Sequence, residues 1–133
     1  MTTRIPMWIF GLLLCAGCGS SEKPLDLAEV KGTVTLDGQP LAKARVSFNP
    51  EKGPSSGAVT DDAGNYVLRN KIGKPGAMIG NHRVEISTDL DGTNQPKNEK
   101  VPPQYNRATT LKATVAKDPN TINFDLTSKG ARR

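Results

Sequence analysis

The sequence has one histidine, His82, one tryptophan, Trp8, and two cysteines, Cys15 and Cys18, among its 133 residues. Each shortage removes a class of chemistry. A single imidazole cannot build a histidine-based metal site or a paired-histidine mechanism within one chain. Both cysteines fall inside residues 1–18, so the remainder has no disulfide and must fold on packing alone. Serines are plentiful, but no Gly-x-Ser-x-Gly elbow accompanies them, and no hydrolase can be assembled. No stretch carries a sustained helical period. The longest apolar run, residues 7–14, is too short to cross a bilayer as a helix, which takes about 20 residues. Charge of one sign is also not concentrated. The formal excess is +5 for the whole chain, scattered except for Lys129, Arg132 and Arg133 near the end. Basic residues are not interleaved with aromatic ones, which argues against nucleic acid as a partner. The basic tail reads as solvated chain, with an attraction to anionic lipid of about 1 kcal/mol per basic residue as its sharper alternative.

What the sequence does contain is alternation. Val30, Gly32, Val34 and Leu36 fall on one side of a strand and Lys31, Thr33 and Thr35 on the other, the period of a half-buried strand. The same rule places Ala44, Val46 and Phe48 inward, with Arg45 and Ser47 outward. Further strands are predicted about residues 58–60, 66–69, 82–87, 111–115 and 122–126, seven in all. Asp37-Gly38 supplies a turn. So does Asp61-Asp62-Ala63-Gly64-Asn65, whose Asp side chains bond nearby amides and whose glycine accepts positive φ. Many short alternating strands separated by turns predict an all-β, seven-stranded antiparallel β-sandwich.

Two places invite a functional reading. Asp61, Asp62 and Asn65 could gather oxygens for calcium, but three ligands fall short of the six to eight that ion takes, so they read as turn formers. No metal, cofactor or catalytic residue is assigned. His82 shares a face with Val84 and Ile86 and reads as a core-edge or surface residue. Residues 89–107 form the longest irregular stretch, and loops of that length are often functional. Tyr105 and its neighbour Asn106 are its candidate ligand contacts. Phe48, Tyr66 and Phe124 occupy core positions, so Tyr105 is the free ring for a sugar, weighed against a ring that pins the loop to the sandwich.

Residues 1–18 resemble a bacterial lipoprotein signal: Arg4, the apolar run, then Leu12-Leu13-Leu14-Cys15-Ala16-Gly17-Cys18. The position three before the cysteine is commonly aliphatic and here is Cys15, itself small and apolar. The resemblance implies cleavage after Gly17, thioether lipidation of Cys18 and a chain anchored to the envelope membrane by that residue. A simple secretory peptide cut near Gly17 or Gly19, or an uncleaved anchor, is the alternative. Gly19 and Ser20 lack the Asp that retains enteric lipoproteins at the inner membrane. The expected organisation is a signal peptide over 1–17, a lipidated cysteine and flexible tether over 18–28, the β-sandwich over 29–127 and a basic tail over 128–133.

Gly32-Thr33-Val34, then residues 37–48 from Asp37-Gly38-Gln39-Pro40-Leu41 to Val46-Ser47-Phe48, then Thr60-Asp61-Asp62-Ala63-Gly64-Asn65-Tyr66 resemble the opening of a carboxypeptidase regulatory-like domain. The later positions Gly80, Val84, Pro103, Tyr105, Leu111 and Phe124 are similar to those of small secreted lipoproteins of planctomycete-type bacteria. The resemblance implies a transthyretin-like sandwich serving as an accessory module without catalytic residues. The hydroxyisourate-opening enzyme of similar fold needs several histidines and a Tyr-Arg-Gly-Ser-type end, absent from Gly130-Ala131-Arg132-Arg133. The expectation is an exported, lipid-anchored, non-catalytic structural or interaction module, meeting an envelope protein or polysaccharide. The alternative is a carbohydrate- or peptide-binding module built on the 89–107 loop.

Overall fold

Alternation puts Val46 and Phe48 of one strand, and Val84 and Ile86 of its neighbour, on a common face. All four are fully buried in the computed structural model, which describes residues 17, 19, 24–92, 97–117 and 119–129. Cys18 and the tail residues Arg132 and Arg133 lie outside the described residues. The chain is all-β. In order it forms β1 (Leu27–Ala28), β2 (Val30–Leu36), β3 (Gln39–Pro40), β4 (Arg45–Pro50), β5 (Ser56–Val59), β6 (Asn65–Val67), β7 (Arg69–Asn70), β8 (Ala77–Met78), β9 (Gly80–Ser87), a single 3-10 turn (Pro103–Tyr105), β10 (Lys112–Val115), β11 (Asn120–Thr121) and β12 (Phe124–Leu126). The larger sheet runs β10-β9-β4-β5-β7, antiparallel throughout. The other is built around β2, with β6 and β3 antiparallel to it and β11 and β12 parallel to it. A separate pairing joins β1 to β8. Side chains from both main sheets share one apolar core, in which the Phe48 ring of β4 meets the Phe124 ring of β12 edge-on at 6.1 Å.

Three features depart from the sequence reading. The stretch 66–69, read as one strand, is two: β6 pairs with β2, β7 pairs with β5, and fully buried Leu68 marks the step between sheets. There the Leu68 N–H donates to the Val30 carbonyl at 2.9 Å. Second, the antiparallel expectation fails for β11 and β12, which lie parallel to β2. The chain reaches them by crossing from the larger sheet after β10, and a parallel pair needs such a crossover. Third, β1 occupies part of the stretch read as tether, and Ala28 belongs to the core.

Gly32 is required where β2, β6 and the β11–β12 segment converge. A Cβ on it would stand 2.6 Å from the Ile122 carbonyl carbon and 2.9 Å from the Tyr66 hydroxyl. Tyr66, its cross-strand partner, covers the glycine and donates a hydrogen bond to the Ile122 carbonyl. Between β11 and β12 the ladder is interrupted, and the Asn123 side-chain oxygen accepts the Thr33 N–H at 2.9 Å in its place. The Asp-rich turn forms as its residues predict. The Asp61 carboxylate accepts the Ala63 and Asn65 N–H groups at 3.0 and 2.9 Å, and Gly64 takes φ 78°.

Candidate functional site

The inward alternation of β4 and β9 turns Arg45 and Ser47, with Glu85 and Ser87, to the outer face of the larger sheet, where register sets Ser47 beside Glu85 and Arg45 beside Ser87. Residues after β9 return across one side of this face and wall off a cleft of about 680 Å³. A shallower groove of about 420 Å³ continues over β5 and shares Arg45, Ser47 and Glu85 with it.

The wall is held by one carboxylate. Glu99 accepts hydrogen bonds from the Ser87 hydroxyl, from the Thr88 N–H and hydroxyl, both at 3.0 Å, and from the Val101 N–H at 2.9 Å. Partial burial alone would raise the Glu99 carboxyl, but the bonds from Ser87, Thr88 and Val101 outweigh it and hold the group below its ordinary value. Thr88 completes the closure: its hydroxyl accepts the Lys100 N–H at 2.7 Å, and its one proton is shared between Glu99 and the Asn98 carbonyl, 2.9 Å away. Arg45 reaches from β4 to the Leu90 carbonyl at 2.6 Å. The far end is tied by buried Thr109, whose hydroxyl donates to the Val84 carbonyl at 2.6 Å.

Of the two candidate contacts read from the sequence, Asn106 lines the cleft and Tyr105 does not. The Asn106 amide nitrogen donates toward the Val101 and Pro102 carbonyls at 3.2 and 3.3 Å, and its oxygen accepts the Arg107 N–H at 2.8 Å. Tyr105 packs against the core, and its hydroxyl meets Thr127 of the β12 end, accepting that residue's N–H at 3.3 Å. Both therefore act here as fasteners of the segment. His82 is buried in the core beside Phe48, with Nε2 2.6 Å from the Met78 carbonyl oxygen, deeper than an edge or surface position. Among the described residues no three His, Cys, Asp or Glu side chains converge as metal ligands. Sequence reasoning missed Glu99, Lys100 and Arg107, because the closure that places them joins Ser87 and Thr88 to Glu99 and Lys100 across eleven or more residues, which no local pattern encodes.

No family model matches the chain, and no curated protein matches it. Among solved structures, it is similar to a DUF3823 family protein from Parabacteroides merdae, with a TM-score of 0.48 and 14% identity over 75% of this chain. The match spans 45% of that protein's chain.

Proposed function

We propose that the chain is an exported protein, lipidated at Cys18 and held to the cell envelope, whose transthyretin-like sandwich of the carboxypeptidase regulatory-like type works as a non-catalytic binding module. The observation that carries the binding role lies in residues 88–92 and 97–107: Glu99, Arg45 and Thr109 fasten them so that they wall a cleft on the outer sheet face. A connection that merely joined β9 to β10 needs no such wall. The non-catalytic reading rests on how the cleft's groups are engaged. The Glu99 carboxylate is saturated by donors, Glu85 pairs with Arg83 at 2.9 Å, and the single histidine is in the core. The Ser87 hydroxyl that bonds Glu99 has no imidazole beside it to complete a relay.

The test uses delipidated envelope fragments and the full chain carrying Cys18→Ala, so that neither an acyl chain nor the retained apolar run 7–14 carries the sedimentation. Ser47→Arg, which fills the cleft floor, is expected to abolish cosedimentation, whereas Val67→Arg, on the exposed side of β6, leaves it intact. Equal binding by both variants overturns the cleft as the contact surface.

A further inference from the structure

Among the described residues four large apolar side chains are exposed, and two of them, Ile72 at 65% and Ile79 at 39%, lie at the end of the sandwich where the chain enters it. Leu27 of β1 pairs with Met78 of β8 at this end, and the Ile79 N–H donates to the Asp26 carbonyl at 2.9 Å. The turn that carries Ile72 is fixed beside them: the Asn70 side-chain oxygen accepts the Ile72 and Lys74 N–H groups at 3.0 and 2.9 Å, and a Cβ on Gly76 would stand 2.4 Å from the Ala28 carbonyl oxygen. Register places the cleft at the other end. Pro50 of β4 faces His82 of β9 here and Arg45 faces Ser87 there, about 17 Å apart at about 3.3 Å per residue, and the residues that wall the cleft follow Ser87. Six residue steps separate Cys18 from Pro24, a reach of at most about 20 Å, so an anchor at Cys18 holds this end near the bilayer. We infer that Ile72 and Ile79 insert into the surface of that bilayer and dock this end on lipid, which leaves the cleft on the side away from it; the inference rests on lipidation at Cys18.

Apolar contact, not charge, carries the docking. Exposed Lys52, Lys71 and Lys74 share this end with exposed Glu51 and Asp26, so headgroup charge selects little. Interfacial binding scales with the apolar area buried, and two isoleucines alone partition weakly. A short tether turns the contact into an intramolecular one at an effective concentration of about millimolar, and weak partition then suffices. Val59, the exposed apolar residue paired with Arg45 at the cleft end, has no such tether beside it.

The experiment is tryptophan fluorescence of the full chain, expressed with its leader and purified from the membrane. Trp8 is the single tryptophan, so in a Trp8→Phe background an introduced indole reports alone. The protein is reconstituted into phosphatidylethanolamine–phosphatidylglycerol vesicles with plain or brominated acyl chains. Ile72→Trp and Ile79→Trp are expected to emit to the blue of Val59→Trp and to be quenched at least about twofold by brominated lipid, with Val59→Trp unquenched and added salt without effect. Ile72→Asp is expected to relieve the quenching of an indole at position 79, and Val59→Asp to leave it. Equal quenching at positions 59, 72 and 79, or none at all, overturns the inference. Blue emission at 72 and 79 without quenching means that protein, not lipid, covers this end, and overturns it too. Intact mass separates the two readings: acyl mass at Cys18 with unquenched indoles overturns the docking and keeps the anchor, whereas quenched indoles without acyl mass overturn the anchor and keep the docking.

Discussion

Tyr66 and Gly32 tie the second sheet together at a point where no side chain fits and one hydroxyl reaches across. Gly32→Ala is expected to destabilise the fold by at least about 2 kcal/mol, since its Cβ would press on the Ile122 backbone and on the Tyr66 hydroxyl bonded to it, and urea unfolding measures the loss. Burial pushes the Tyr66 hydroxyl well above its ordinary value near 10. Its protonated form is the one the fold retains, so this contribution is complete below pH 10 and is lost as pH rises beyond it. Tyr66→Phe is expected to cost about 1 kcal/mol at neutral pH through the unpaired Ile122 carbonyl and to flatten the alkaline decline, both read from melts against pH. The inward and outward choice at Val46, Phe48, Val84 and Ile86 was legible because a strand has period two. Gly32 was legible only as the start of a strand. Its need for no side chain comes from Ile122, ninety residues away in sequence, and no local pattern carries that.

The binding role depends on residues 88–92 and 97–107, and Glu99 is their clasp. The carboxyl is held below its ordinary 4.5, so the fastening is complete above that pH and is lost as pH falls below it. Glu99→Gln is expected to accelerate amide exchange at Thr88 and Val101 by about tenfold or more at neutral pH while Val46 and Val84 stay protected. Equal acceleration in the strands means that Glu99 supports the whole sheet. The irregularity of 89–107 was legible from its Pro, Asn and Gly content, and Tyr105 as a pin was one of two readings. The clasp was not, because Glu99 bonds back across eleven or twelve residues to Ser87 and Thr88. Likewise the break at Leu68 was hidden, since an uninterrupted apolar-polar alternation reads the same whether a strand stays in one sheet or steps to the other.

At the scale of the whole molecule, one face of the larger sheet carries a walled cleft lined by both acids and bases. For the proposed anchor at Cys18, each buried methylene is worth about 0.8 kcal/mol, so two or more acyl chains hold a chain stably where one is marginal. Intact mass of the exported protein is expected to show a mature terminus at Cys18 with acyl mass added, and Cys18→Ala to remain an unlipidated precursor. The central claim is that contact is made through the cleft, and photocrosslinking in intact cells tests it most directly. A benzophenone side chain is placed at position 107 or 100, on the exposed rim of the cleft, in one set and at position 67 in the other. The account predicts adducts from positions 107 and 100 and none from 67; adducts from 67 alone, or in equal yield from all three, contradict it.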